Sequence, residues 1–424
     1  QGLPVVHSIY ALEADLRTQL FKTNGYQVQT RPTATVKVHV TFSVLTFNTL
    51  DVRGQSLTTT GYFSLTWSDD RLSWINNATY SRDVSVFYSN EDTVWRPPVI
   101  LSNSVSDISV MSDNAIPIRV FKDGTVSWTP SGIYETQCET DVSYYPFDTQ
   151  TCGITISTWG YTAREITLAL DSTPVDTTYF TENGEWEFVS YYTSWSTNRR
   201  RGSSFFSLTF HMILKRRPTY HVLNTLTPTI LLAFLSCMAF KLPPESGERI
   251  GYCLTVLLSY AVYLTLVSTN IPTTSVKTSL LSVYLVFILA LGMVSVLLTI
   301  LVLECHYTDP EEEVPKWLHN TLTFLMKITF QKKGSNNRSG CCLTGKRKND
   351  IDCLETDQQQ NCKSPTKYNN NDTIKSNNYV AEDSFTWIEI GQRLDKSFLR
   401  LFLFTVLVST VVFMVALGIG YALN

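Results

Sequence analysis

What this 424-residue chain has little of narrows its function at once. Its six histidines are scattered, with no pair at metal-ligand spacing, and it has neither a nucleophile elbow nor a glycine-rich phosphate loop. An enzyme reading therefore has almost nothing to stand on, and no cofactor or metal is expected. Charge of one sign is also lacking: the net charge is −3, which gives no bias towards nucleic acid. The residues after Gln1 lack the basic and long apolar regions of a signal segment, so a mature, processed chain is the expectation.

The most informative absence is local. Four stretches contain no Asp, Glu, Lys or Arg: Pro218 to Phe240, Ile250 to Val276, Thr278 to Leu303, and Leu401 to Asn424. A helix needs roughly 20 apolar residues to cross a hydrocarbon core, and each stretch is long enough. Four buried helices of a soluble protein are the alternative, but the runs exceed the usual core-helix length of roughly 8–20 residues. The third and fourth are dense in Leu, Val, Ile and Phe and read as facing membrane lipid. The second is more polar, with Thr255, Ser259, Thr265, Ser268 and Thr269. Lys332, Lys333, Arg338, Lys346, Arg347 and Lys348 crowd the segment between the third and fourth stretches, which predicts a cytoplasmic loop and both termini outside. The expected organisation is an extracellular domain over 1–217 and three spans over 218–306. A cytoplasmic loop over 307–398 then leads to a fourth span with a short outer tail over 399–424, in a multi-pass protein of the plasma membrane.

Within the first domain Ile9, Leu12, Leu16 and Leu20 share a helical face, predicting a short N-terminal helix. Beyond Arg31-Pro32 the pattern alternates: Val36, Val38, Val40, Phe42 and Val44 on one strand, and Phe206, Leu208, Phe210, Met212 and Leu214 on the last. Turn signals such as Lys122-Asp123-Gly124 separate similar runs, which predicts an antiparallel β-sandwich. Of nine cysteines only Cys138 and Cys152 fall in the expected extracellular domain, where an oxidising compartment favours a disulfide. They enclose thirteen residues that include Tyr145-Pro146-Phe147-Asp148. Asn77-Ala78-Thr79 is a glycosylation acceptor on the same side.

On the second stretch Gly251, Thr255, Leu258, Val262, Thr265 and Thr269 follow at steps of four, three, four, three and four, a single helical stripe. It is small or hydroxylated at both ends and branched apolar in the middle, and Glu248 stands just before it. A stripe of this kind lines a water-filled pore or packs on a neighbouring helix, where small residues are also favoured. In the loop, 314–326 places Val314, Trp317, Leu318, Leu322, Leu325 and Met326 on one face, suiting a helix at the membrane interface. Residues 334–378 are polar and poor in aromatics, and read as disordered.

Two cysteines thirteen residues apart around an aromatic-Pro-Phe-Asp core, followed by four spans at this spacing, resemble the Cys-loop family of pentameric ligand-gated ion channels. Within it the chain is most similar to nicotinic acetylcholine receptor subunits, through Trp95-Arg96-Pro97, Thr255-Val256-Leu257-Leu258-Ser259 and Cys305-His306-Tyr307-Thr308-Asp309-Pro310. The resemblance implies a homo- or hetero-pentamer, in the membrane and at a synapse on its postsynaptic side, opened by a small-molecule agonist bound between subunits. Five copies of the stripe would line the pore, with a gate at Leu258 and Val262. Gly247-Glu248 replaces the inserted Pro-Ala of the anion channels, implying monovalent cations as the permeant ions. Calcium is less expected, because Thr269 stands where many cation-selective relatives carry an acid, and Gly251 replaces a usual hydroxyl.

For the agonist box, Trp159 matches the family's central tryptophan, with Tyr161 after it. Tyr62 stands where the nicotinic pattern has Trp, and Ser102 where acetylcholine-binding subunits have Tyr. Their paired cysteines are missing from Trp195 to Phe206; Asn198 and Phe205 take the flanking tyrosine positions, and Tyr191, Tyr192 or Trp195 could fold in instead. Arg199-Arg200-Arg201 would repel a cationic agonist; a solvated loop tip and a site for an anionic or amphiphilic ligand both remain open. The resemblance also implies that Tyr145, Pro146, Phe147 and Asp148 rest on the loop holding Pro272, and that Arg217 pairs with acids such as Asp148.

Overall fold

The computed structural model describes residues 3–200, 202–269, 271, 277–309, 314–329 and 386–423. A helix at Leu3–Arg17, extended by a π-helical turn at Thr18–Thr23, lies over the top of a two-sheet sandwich. Leu16 and Leu20 bury there, whereas Ile9 on the predicted face is exposed.

One sheet has seven strands, in the order β3 (Val86–Ser89), β5 (Ile118–Phe121), β6 (Thr125–Trp128), β2 (Ser56–Ser68), β1 (Val36–Asp51) and β9 (Ile166–Asp176), with β7 (Ser131–Gln137) also on β2. The other runs β10 (Trp186–Arg200), β11 (Ser203–Arg216), β8 (Thr149–Thr158) and β4 (Val99–Leu101). Period-two alternation decides which side chains enter the gap. Val36, Val38, Val40, Phe42 and Val44 on β1 are all buried, as are Leu208, Phe210, Met212 and Leu214 on β11. Phe42, Phe63 and Phe210 meet at centroid distances of 4.6–6.0 Å, closing the two sheets on each other. One pairing departs from the antiparallel expectation. β9 crosses from the neighbourhood of β8 to the opposite sheet and so arrives parallel to β1, with Val36 opposite Ile166.

Below the sandwich, among the described residues, stand four helices long and apolar enough to cross a membrane: Thr219–Lys241, Arg249–Ser268, Leu280–Tyr307 and Trp387–Ala422. The last is the main part of one continuous helix, Trp387–Leu423. A shorter amphipathic helix, Lys316–Ile328, buries Leu318, Leu322 and Met326, while Trp317 points away and is exposed. The 334–378 stretch and Pro272 lie outside the described residues.

Candidate functional site

Three clusters of the sequence-predicted residues can be placed. At the sandwich's side, Trp159 follows β8 at a turn that Gly160 makes possible with a φ of +82°, a conformation costly for residues with a Cβ. Its amide donates to Pro98 O at 2.9 Å, and Ala163 N donates to Ser204 O at 2.7 Å, which ties this loop to the β10–β11 hairpin. The indole is 58% exposed and has no ring contact within the chain among the described residues. Ser102 is on the same sheet but at the other end of β4, opposite Thr155, its amide and hydroxyl both donating to Thr155 O. On the hairpin Asn198 pairs with Phe205 across the ladder, and Tyr191, Tyr192 and Trp195 are exposed on β10. Tyr192 is committed elsewhere: it stacks on His211 at 4.4 Å. Tyr161 has its face covered by its own chain's Arg31, 5.5 Å from the ring centroid, so a cation already occupies that quadrupole. Tyr62 does not join this group. It lies on β2 of the other sheet, between Ser43 and Ser131, so one copy presents Trp159 and Tyr62 on different sheets. Arg199 is exposed near the hairpin tip; Arg201 lies outside the described residues.

At the base, the disulfide joins Cys138, just past β7, to Cys152 on β8, and so links the two sheets. The enclosed loop meets three spanning helices. Tyr145 is buried, and its hydroxyl lies 2.8 Å from His221 Nδ1 at the start of the first; burial pushes the phenol up to about 12. Leu280 at the start of the third donates its amide to Ser143 O at 3.1 Å, and Lys277 pairs with Asp141 at 2.6 Å. Phe147 packs edge-on against Tyr421 of the last helix at 5.7 Å.

The predicted Arg217–Asp148 pair is not formed. Asp148 instead binds Arg216, whose Nε and Nη2 donate to its two oxygens at 2.8 and 3.2 Å. Arg216 Nη1 reaches Glu185 at 2.7 Å, and the guanidinium lies 4.2 Å from the Trp186 ring centroid. Arg216's side chain is 3% exposed; Arg217, 43% exposed, pairs with the exposed Glu182. The reason is parity. Inward positions on β11 run 208, 210, 212, 214, so the next is 216, and Arg217 must point out. His221, whose Nε2 lies 3.7 Å away, and then the nearby Arg216 charge, hold the Glu185 carboxyl below its ordinary range against some burial. A cavity of about 170 Å³ opens beside this network, between Asp51, Arg53, Glu185, His221 and Thr269.

On the second spanning helix, Gly251, Thr255, Leu258, Val262, Thr265 and Thr269 all lie exposed in the single chain, Leu258 at 65%. The buried positions are Cys253, Val256, Tyr260 and Val267, which pack on the other spans. Tyr252 and Tyr263 anchor the flanks by donating to Leu235 O and to Asn224 O on the first helix. Glu248 is exposed at the foot of the stripe, with Oε2 3.9 Å from where a Cβ on Gly251 would lie. Arg249, one residue on, turns inward and pairs with Asp395.

Arg216, Glu185, His221 and Asp395 were not singled out in the sequence. Extending the β11 alternation by one step would have found Arg216; nothing local in the sequence points to the other three.

Residues 13–218 match the neurotransmitter-gated ion-channel ligand binding domain, and residues 225–381 the neurotransmitter-gated ion-channel transmembrane region. The chain is 30% identical over 346 residues to the neuronal acetylcholine receptor subunit alpha-4 of Mustela putorius furo, covering 80% of this chain and 54% of that one. It is 32% identical over 347 residues to the acetylcholine receptor subunit delta of Mus musculus, covering 75% and 65%. With the delta subunit of Xenopus laevis the figures are 31% over 322 residues, 70% and 61%. The chain thus spans less than two thirds of the length of each of these relatives.

Proposed function

The chain belongs to the family of neurotransmitter-gated ion channels, and on that premise we propose that it is one subunit of a pentameric, cation-selective channel opened by an extracellular ligand. It acts as a receptor and carries out no enzymatic step. Its two termini face the outside of the plasma membrane, and Asn77 carries the glycan.

The observation that carries this reading is the second spanning helix. Its small, hydroxylated and apolar stripe is the face left uncovered when the other spans pack, and a carboxylate stands at its foot. Around a central axis, Leu258 and Val262 form an apolar constriction able to gate by dewetting, and Glu248 forms a ring that draws cations in.

Ligand enters between neighbouring copies, because Trp159 with the hairpin and Tyr62 lie on different sheets of one sandwich. The agonist is something other than acetylcholine. Ser102, Asn198 and Phe205 fill positions that are tyrosine in acetylcholine-binding subunits, Arg199 adds positive charge, and Arg31 covers Tyr161. The same losses favour a second reading, a partner subunit that supplies only the Tyr62 face to a heteromer.

The test is current from the chain expressed alone in oocytes, with Leu258→Thr as a companion. Substituting threonine in the constriction should produce a standing current without agonist. That current should reverse with the sodium gradient and vanish when sodium is replaced by a large organic cation. Reversal at the chloride potential would overturn cation selectivity. Silence of both forms at the cell surface would favour the partner-subunit reading.

A further inference from the structure

Arg249 poses a problem for a cation pathway. It is the residue after Glu248, so a homopentamer would bring five fixed positive charges to the mouth where five carboxylates are meant to gather cations. The structure shows where those charges go. One residue further round the helix the side chain turns about 100° from its neighbour, and Arg249 is 1% exposed behind the stripe while Glu248 stays in the open. Its Nη1 lies 3.0 Å from Asp395 Oδ2, and Nη2 bonds Oδ1 of the same carboxylate. The arrangement is a two-pronged pair across 146 residues of sequence. The pair is walled by Phe240, whose ring centroid is 5.9 Å from the guanidinium and which packs on Phe398 and Phe402 of the last helix.

We propose that Asp395 is a positioning residue for ion conduction: it holds the Arg249 charge behind the pore helix and cancels it, so that permeating cations meet Glu248 alone. This rests on the cation-channel reading above and adds to it a role for the outermost helix, which does not touch the pore. Two features support it. A guanidinium buried without an opposite charge is strongly disfavoured, so without Asp395 the side chain is driven towards water, and the exposed Glu248 stands one residue away. The Asp395 end of the last helix is also held in place from its other side. Ser397 Oγ lies 3.4 Å from Thr329 Oγ1, and Arg400 donates to Thr329 O at 2.9 Å, just past the amphipathic helix.

The experiment is single-channel recording in the spontaneously open Leu258→Thr background, which needs no agonist. Asp395→Asn should lower the unitary cation conductance by about twofold or more, through the repulsion of uncancelled arginines. Asp395→Glu should restore it. Arg249→Gln/Asp395→Asn, which removes both charges, should conduct like the parent. A role confined to packing predicts the opposite order, with the double variant no better than the single one. If Asp395→Asn alone fails to reach the surface, co-expression with an excess of parent subunits places one altered copy per pentamer, and intermediate conductance levels are expected. Unchanged conductance in Asp395→Asn or in those mixed pentamers, or no recovery in the double variant, would overturn the inference while leaving the channel reading intact. Absence of any current from the Leu258→Thr parent at the surface would overturn the homomeric-channel reading on which the inference rests, and the inference with it, in favour of the partner-subunit reading.

Discussion

Two adjacent arginines at the base of the sandwich give the sharpest test of the physical reasoning, because they differ in environment and in little else. Arg216→Gln removes a side chain that bonds Asp148 through two nitrogens and Glu185 through a third, with both Trp186 and Tyr145 rings beside it. It would leave Asp148, itself 1% exposed, with only Gln150 as a side-chain partner. Breaking a buried pair by removing one member costs about 3–5 kcal/mol. Arg217→Gln breaks a pair whose members are both exposed, which is worth about 0–1 kcal/mol. For a domain of roughly 150–250 residues each kcal/mol moves Tm by about 2–4 °C, so Arg216→Gln should lower it by about 6–20 °C and Arg217→Gln by less than about 4 °C. The assay is thermal unfolding of the detergent-solubilised receptor followed by size-exclusion chromatography, and it needs no agonist. The same contrast should appear in function: in the Leu258→Thr background, Arg216→Gln should change the standing current and Arg217→Gln should leave it. Equal losses from the two substitutions, or a larger loss from Arg217→Gln, would refute the parity argument.

Glu248→Gln should lower the preference for cations over anions, read as a shift of reversal potential in dilute external salt; an unchanged reversal potential would exclude Glu248 from the selectivity ring. Gly420→Ala puts a methyl into the Tyr144 ring, whereas Gly418, two residues away on the same helix, has nothing within 4 Å of its added Cβ. Gly420→Ala should therefore loosen the last helix from the loop and lower Tm, and Gly418→Ala should hold or raise it, since Ala exceeds Gly in helix propensity by about 1 kcal/mol. A Gly418→Ala as damaging as Gly420→Ala would show that the ring contact is not what matters. Glu185 has a folded-state pKa below its unfolded value, so its contribution to stability is complete above the ordinary carboxylate range and is lost only as pH falls through the lowered value. Stability should thus keep its Glu185 share from neutral pH down to about 5; a loss over that interval that disappears in Glu185→Gln would contradict the lowered value.

How much could be read from the chain follows from which interactions are periodic. The spans were legible because charge-free runs of membrane length need no partner to define them, and the sandwich because alternation marks the inward face of β1 and β11 directly. The stripe from Gly251 to Thr269 was legible for the same reason. Tertiary choices were not. The family resemblance implied that Arg217 pairs with Asp148, but the strand's period of two assigns that place to Arg216. Asp395 and Arg249 are brought together only by the packing of the last helix on the first and third, and a single sequence contains no register for that. Tyr161 looked available for ligand, yet its cover, Arg31, lies 130 residues earlier on a segment that alternation does not reach.

The distribution of buried charge suggests how an extracellular event could reach the helices. Within one chain the sandwich touches the spans through the disulfide loop and through Lys215, 4.3 Å from the Tyr421 ring centroid, and the loop's contacts are of two grades. Arg216, Asp148 and Tyr145 are buried and share bonds with Glu185 and His221, so displacing one strains the others. The Lys277–Asp141 pair is nearly half-exposed on both sides and costs little to break. Movement of the loop would therefore pass to the start of the first helix through buried side chains, and to the start of the third through the Leu280–Ser143 backbone bond and an exposed ion pair. The second helix has no such buried bond to the loop among the described residues; it is tied to the first by Tyr252, Tyr260 and Tyr263 and, at its far end, to the last by Arg249. On the proposed channel reading, a pore helix held in this way would be turned through its neighbours, with the first helix as a buried link between the sandwich and the Leu258 constriction.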